Sequence, residues 1–466
     1  EEVRDPSRMA EVLNRVIEKA FRGSAPAQIN VPRDYWTQVI DIELPPIVRF
    51  ERQGGGKEAI EKAAKLLSDA KFPVILSGAG VVIGNAIDEC KKLAEKLDAP
   101  VCNGYQHNDS FPGSHPLAVG PLGYNGSKAG MELISKADVV LALGTRLNPF
   151  STLPGYGIDY WPKDATIIQV DMNPDRIGLT KKVTVGICGD AKMVSQQILE
   201  KLSPSAGDNG RDERKNLIHQ TKSAWLQTLT SLDHEDDDPG TVWNKEARER
   251  DSDRMSPRQA WRAIQAGMPD DVIISSDIGN NCAIGNAYPT FEKPRKYLAP
   301  GLFGPCGYGF PSILGAKIGC PDTPVIGFAG DGAFGISMNE MSSCAREEWP
   351  AITMVIFRNY QWGAEKRNSI LWFDDNFIGT ELDPELSYAK VANACGLKGV
   401  AVKTMEETTK AIKQSCEDQK KGITTFIEVI LNQELGEPFR RDAMKKPVEI
   451  AGIEKGDMKP QKSLVG

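Results

Sequence analysis

What most constrains this chain is an alternation that runs twice. In the first series "KEAIEKAAKLLSDA" reads as a helix, "FPVILSGAG" as a strand, "AIDECKKLAEKLD" as a helix and "APVCNGY" as a strand. "GMELISKA" is then a helix, "DVVLALGTR" and "ATIIQVDMNP" are strands, and "DAKMVSQQILEKL" is a closing helix. The second series opens with "SPRQAWRAIQAGM", a helix behind a capping serine, and "DVIISSDIGNN", a strand ending in a polar turn. It continues as helix "GYGFPSILGAKIG", strand "TPVIGFAGDG", helix "AFGISMNEMSSCAR" and strand "AITMVIFRNYQWG", and closes with "TMEETTKAIKQSCED" and "TTFIEVIL". A helix between two strands returns the chain in the same direction, so such strands pair in parallel with helices on both faces. The expected class is α/β, with two complete parallel-sheet, three-layer domains.

The pattern breaks place these domains at 46–203 and 254–433. Between them, 204–253 is charge-rich ("SPSAGDNGRDERK", "LDHEDDDPG") and reads as a polar connection on the surface. A Pro- and Lys-rich tail occupies 434–466. In residues 1–45 a helix carries the stripe Met9, Val12, Leu13, Val16, Ile17 and Ala20, and "PAQINVP" reads as a short strand. One helix and one strand cannot cover both faces of a sheet, so this segment is expected to be the C-terminal remnant of a third domain. The net charge of −7 argues against nucleic acid or an anionic membrane as partner. No apolar run approaches the roughly 18 residues of a membrane span. Nine cysteines without a CxxC pair suit neither a disulfide framework nor a zinc cluster. They read as small buried hydrophobes in a reducing cytoplasm.

The chemistry centres on "PVIGFAGDGAFGISMNEM", residues 324–341, where an apolar strand ends at Asp331 between Gly330 and Gly332. A charge at the tip of a buried strand is costly without a partner. The next strand ends in "RNYQ", so Asp331 and Asn359 emerge at the same sheet edge, where open α/β sheets bind ligands. A carboxylate and an amide oxygen are hard ligands suited to Mg²⁺, which completes its shell with phosphate oxygens and water. The glycines let the backbone approach, and the helix start offers free N–H groups to an anion. The spacing therefore predicts a diphosphate bridged through Mg²⁺. The bland alternative is that Asp331 only caps the helix behind it.

"GDG" with an Asn-bearing strand end roughly thirty residues on resembles the fingerprint of thiamine-diphosphate-dependent enzymes. "GSHPLAVGPLGYNGSKAGMELISKADVVLALGTRLN" and "ATIIQVDMNPDRIG" are similar to the central domain of the acetolactate synthase and pyruvate decarboxylase superfamily. "SDIGNN", "GLFGPCGYGFPSILGAK" and "GFAGDGAFGISMNEM" are similar to its diphosphate-binding domain. The resemblance implies thiamine diphosphate and Mg²⁺ as cofactors. Asp331, Asn359 and the Gln361 carbonyl would ligate the metal. Gly279, Asn280, Asn281, Gly330, Gly332 and Ala333 would lie against the diphosphate. Gly304, Pro305 and Cys306 would meet the organic part, with Cys306 at the position of a larger apolar prop or serving only as packing. Arg358 stands where the family usually has a second Asn.

"RNYQWGAEKRNSILWFDDNFIGTEL" is most similar to the sulfoacetaldehyde acetyltransferase branch, which turns sulfoacetaldehyde and phosphate into acetyl phosphate and sulfite in taurine and sulfonate breakdown. Other readings are acetolactate synthase, a related 2-oxoacid decarboxylase, or a non-catalytic binding subunit of the same fold. Two anionic substrates call for cations, and Arg358, Lys366, Arg367, Arg440 and Arg441 are the candidates. Lys366 and Arg367 fall near a helix start, so at least one is expected to face water. Glu365 is the candidate proton carrier. The glutamate that activates the cofactor in the family lies in the domain expected to be absent, so the chain alone is expected to be inactive, and the whole protein a homodimer or homotetramer. "GAGVVIG" at 78–84 lacks GxGxxG spacing and reads as a structural turn, although some relatives hold FAD or ADP in this domain. His107 and His115 read as loop or core residues.

Overall fold

The structure is a computed structural model that describes residues 1–23, 25–44, 51–231, 245–301, 303–346, 348–372 and 376–435. Two six-stranded sheets organise it, and every strand pairing within them is parallel. The first contains β1 (Pro73–Ser77), β2 (Val101–Asn103), β3 (Ala118–Pro121), β4 (Val139–Leu143), β5 (Thr166–Asp171) and β6 (Val185–Cys188) in the order β3-β2-β1-β4-β5-β6. β1 and β4 are buried at every residue, as strands covered on both faces must be. "GAGVVIG" becomes the short helix Ala79–Ile83 at the tip of β1. Its glycines serve close packing: a Cβ on Gly80 would lie 2.6 Å from the Gly144 Cα. Beside it, a cavity of ≈ 890 Å³ reaches from Arg146 and Arg176 to Tyr308 of the second unit.

The second sheet contains β7 (Ile273–Ser276), β8 (Tyr297–Leu298), β9 (Val325–Gly330), β10 (Thr353–Arg358), β11 (Lys398–Val402) and β12 (Thr425–Ile430), ordered β11-β12-β10-β9-β7-β8. Alternation along β10 divides the core. Val355 and Phe357 face Trp261, Ile264 and Ile412, while Met354 and Ile356 face Phe310, Phe334 and Phe426. Trp261 packs 4.8 Å from Phe328 and 5.4 Å from Phe357, centroid to centroid. Fully burying side chains of this size stabilises the fold by roughly 1.5–3 kcal/mol each. From β7 the chain goes outward to β8, then returns to the other side of β7 as β9. The order of strands therefore reverses between β7 and β9, and a crevice opens at their carboxyl ends.

Several expectations need correction. Residues 28–31 form only an isolated bridge, Glu2 to Asn30, instead of a strand. The first helix, Met9–Gly23, buries Val12 and Val16 but leaves Leu13 and Ile17 exposed. The stretch 204–253 is not simply a surface connection. Arg214, on the helix Arg211–Ser231, is buried and donates to the carbonyls of Lys71, Leu97, Asp98, Gly207 and Asn209. Asp251 is likewise buried, accepting from Arg250 and from the Gln433 N–H. The helix expected after "GDG" starts at Asp331 and breaks at Ser337 into a 3₁₀ turn and a last short helix, Met341–Cys344. Among the described residues, no helix is long and apolar enough to cross a membrane.

Candidate active site

Asp331 is the first residue after β9 and is 1% exposed. Gly330 is the residue that caps the following helix, and it does so without a side chain, so helix capping is not what Asp331 does. Its Oδ2 accepts from Arg358 Nη1 at 3.1 Å and from the Tyr360 N–H at 2.6 Å; its Oδ1 accepts from the Gly332 N–H at 2.9 Å. The Tyr388 hydroxyl donates to its carbonyl at 2.9 Å. Burial pushes the carboxyl up to about 6, against the downward pull of the Arg358 charge and these donors. An ionised carboxylate has about four acceptor positions. Three of them are taken here, which leaves one on Oδ1 for a further partner.

β9 and β10 are neighbours with Gly330 opposite Phe357. The tip of β10 thus runs past Asp331, and the Asn359–Tyr360 peptide lies against its carboxylate through the Tyr360 N–H. Asn359 is buried, and its carbonyl accepts from Gln433 Nε2 at 3.2 Å. Its side-chain amide makes no hydrogen bond among the described residues. Gln361 donates through Nε2 to the Gln433 carbonyl, while its Oε1 is buried without a partner. No group of three His, Cys, Asp or Glu side chains suited to a metal exists among the described residues. A site of one carboxylate, amide oxygens and ligand phosphate is of a different kind.

At the tip of β7, Gly279 has φ +131 and starts the short turn Asn280–Ile284. Asn280 Oδ1 accepts from the Tyr124 hydroxyl of the first unit at 3.4 Å, leaving the buried Nδ2 without a partner. Asn281 Oδ1 is buried and equally unpartnered. Buried polar atoms are normally satisfied, so the unpartnered Asn280 Nδ2 and Gln361 Oε1, on side chains that both approach Gly363, are groups a polar ligand could use. Gly304 has φ +61 and brings Pro305 and a half-buried Cys306 to the same edge. Burial pushes the Cys306 thiol up, and the charges of Asp277 and Glu365 add to that. Glu365 is exposed on the helix Gly363–Trp372, which follows the tip of β10. A Cβ on Gly332 would lie 2.7 Å from the Trp362 ring, whereas one on Gly330 would meet nothing within 4 Å. Ala333 is buried in the same helix.

The expected anion-binding cations are placed differently. Arg358 is fully buried. It faces Asp331, lies 3.6 Å from Glu428, donates to the Asp383 and Leu386 carbonyls and stacks 4.2 Å from the Tyr360 ring. Its terminal nitrogens are thus committed to the protein. Lys366 is buried in an ion pair with Glu381, and Arg367 is buried and donates to the Leu435 carbonyl, so neither faces water as expected. Arg440 and Arg441 lie outside the described residues. His107 is half-buried and pulled down to about 4, by desolvation and then by Arg146. Sequence reasoning missed Asp277, Tyr388, Glu428 and Gln433. Asp277 alone carried a signal, a charge at a strand tip like that of Asp331.

Residues 60–202 match the family model described as thiamine pyrophosphate enzyme, central domain, and residues 277–429 match that of the C-terminal TPP binding domain. The chain belongs to the thiamine pyrophosphate enzymes. It is 78% identical to "Probable sulfoacetaldehyde acetyltransferase" of Rhizobium meliloti, over 100% of this chain and 78% of that protein. It is 74% identical to "Sulfoacetaldehyde acetyltransferase" of Roseovarius nubinhibens, over 99% of this chain and 76% of that protein. The chain spans about three quarters of the length of each of these two relatives. Benzoylformate decarboxylase from Polynucleobacter necessarius shares the fold, with a TM-score of 0.71 at 19% identity, covering 94% of this chain and 76% of that one.

Proposed function

We propose that this thiamine pyrophosphate enzyme converts sulfoacetaldehyde and phosphate to acetyl phosphate and sulfite. The observation that carries this reading is the high identity to proteins of that name along nearly the whole chain, supported by a crevice at the strand tips where buried polar atoms lack partners. The residues fit the group. Asp331 and the Asn359 amide would hold Mg²⁺, with the Gln361 carbonyl as a third ligand, and Gly279, Asn280 and Asn281 would lie against the diphosphate, Asn280 through an Nδ2 donor that has no other partner. Gly304, Pro305 and Cys306 would border the organic rings. Bound here, the cofactor supplies a stabilised carbanion.

The chain's own contribution is binding, orientation and proton handling. The Arg358–Asp331 pair fixes the carboxylate in one orientation, and Tyr388 fixes the backbone behind it. On this reading Glu365, exposed just beyond the tip of β10, would give or take a proton. A cytoplasmic homodimer or homotetramer belongs to this reading, supported by Phe303 and Ile336, apolar side chains exposed beside the loop 304–309. The test is sulfite release by the protein with thiamine diphosphate and Mg²⁺. Release that requires phosphate is expected. Pyruvate turnover without sulfite would replace the reading with an acetolactate synthase-type reaction.

A further inference from the structure

Asp277 is a second carboxylate at a strand tip, one strand across from Asp331, and is 1% exposed. Its Oδ1 accepts from the Ile278 N–H at 2.8 Å and the Gly307 N–H at 3.1 Å, and its Oδ2 accepts from the Gly309 N–H at 2.7 Å. Its own N–H donates to the Phe328 carbonyl of β9 at 2.8 Å. One residue thus ties the tip of β7, the tip of β9 and the loop that presents Gly304, Pro305 and Cys306. Among the described residues no Lys, Arg or His pairs with it. A buried carboxylate without a counter-charge is expensive, and a neutral acceptor could moor a loop at lower cost. The carboxylate lies next to the crevice edge: the side chain of its neighbour Ile278 is 3.6 Å from where a Cβ on Gly304 would stand, and its own oxygens hold the Gly307 and Gly309 amides of the same loop.

We propose that Asp277 is a positioning residue that moors the 304–309 loop and supplies the negative charge facing the cationic ring of a thiamine cofactor. This rests on the thiamine reading and adds to it the role of one residue. A purely mooring role and a charge role separate when the ligand's charge is changed at constant shape. Thiamine diphosphate carries a thiazolium cation; thiamine thiazolone diphosphate is its neutral counterpart. Binding of each to the full chain with Mg²⁺ is read by tryptophan quenching, in the wild type and in Asp277→Asn. The charge role gives a loss for the cation about tenfold greater than for the neutral analogue, a difference of ~1.4 kcal/mol. Asp277→Glu, which keeps the charge, restores the wild-type ratio of the two affinities even if both fall. Asp277→Ser, a smaller neutral acceptor, repeats the cation-selective loss and serves if the Asn variant does not fold. Hydrogen exchange at Gly307 and Gly309 quickens in both neutral variants if the loop is moored here. Equal losses for the two ligands would overturn the charge role, and unchanged exchange at these amides would overturn the mooring. Wild-type protein that binds neither ligand would instead remove the thiamine reading beneath it.

Discussion

Replacing Arg358 by Leu removes the one cation set between two buried carboxylates, Asp331 and Glu428. The size of the effect follows from Asp331. Its carboxyl lies at about 6 instead of its ordinary 3.8, so ionising it in place already costs ~3 kcal/mol at neutral pH with Arg358 present. Without Arg358 that cost rises only until protonation becomes cheaper, a ceiling of ~4.4 kcal/mol at pH 7. The loss through Asp331 is therefore ~1.5 kcal/mol. The Asp383 and Leu386 carbonyls lose their donor as well, at about 1–3 kcal/mol each where water does not replace it. The expected total is roughly 2.5–4.5 kcal/mol if water replaces the donor at one carbonyl and roughly 3.5–7.5 kcal/mol if it replaces neither, around the values for a broken buried ion pair.

The pH dependence carries a sign. The folded carboxyl titrates above its ordinary value, so the ionised form costs stability as pH rises from about 4 through 6, and that cost is absent below. Arg358 offsets it only while Asp331 is ionised. The Arg358→Leu penalty should then shrink by about 1–3 kcal/mol between pH 8 and pH 5. Urea unfolding of the metal-free protein, followed by tryptophan fluorescence at both pH values, measures this. A penalty below ~1 kcal/mol, or the same penalty at both pH values, would refute a buried, charge-coupled Asp331–Arg358 pair.

Three other outcomes are expected. Gly332→Ala should cost about 1–3 kcal/mol through its clash with Trp362, whereas Gly330→Ala should cost almost nothing; thermal midpoints of the two variants decide it. Mg²⁺ binding with thiamine diphosphate needs the ionised form of Asp331, so its affinity should be flat above neutral pH and fall by up to about tenfold per unit below pH 6, read by calorimetric titration. Asn359→Leu removes an uncommitted buried amide and should reduce phosphate-dependent sulfite release by about tenfold or more, with circular dichroism unchanged.

Part of the fold was legible because the central strands speak for themselves. β1, β4, β9, β10 and β12 are covered on both faces and read as mainly apolar runs, Glu428 in the middle of β12 being the exception. The four strands that the sequence reading missed, β3, β6, β8 and β11, are the edges of the two sheets. β6 alternates buried and exposed residues, β11 is mostly half-exposed, β8 is two residues long and β3 carries Gly and Pro. Edge strands are short and compositionally blunted because an exposed hydrogen-bonding edge is a hazard, and the same bluntness hides them from a pattern search. Arg214 misled in the same way: its charge signals a surface, yet five carbonyls at chain turns far apart in sequence accept its donors.

At the site, the legible residues are those whose local context is abnormal. Asp331 and Asn359 stood out as polar groups where apolar strands stop, and the pairing of β9 with β10 brings them to one edge. The cations did not behave as charge alone suggested, because charge does not say which partner lies within reach. Arg358 meets Asp331 through strand pairing, but it meets Glu428 only because β12 lies on the other side of β10, a neighbour roughly seventy residues away in the chain. Lys366 finds Glu381 because the chain between them folds back, bridging Gln361 to Glu381. Gln433 supports both Asn359 and Gln361 from beyond the last strand. These supporting contacts are long-range, so they have no local signature. They are nonetheless what turns a carboxylate and an amide at adjacent strand tips into a rigid metal-ready pair, since a ligand set is only as well placed as the groups that orient it.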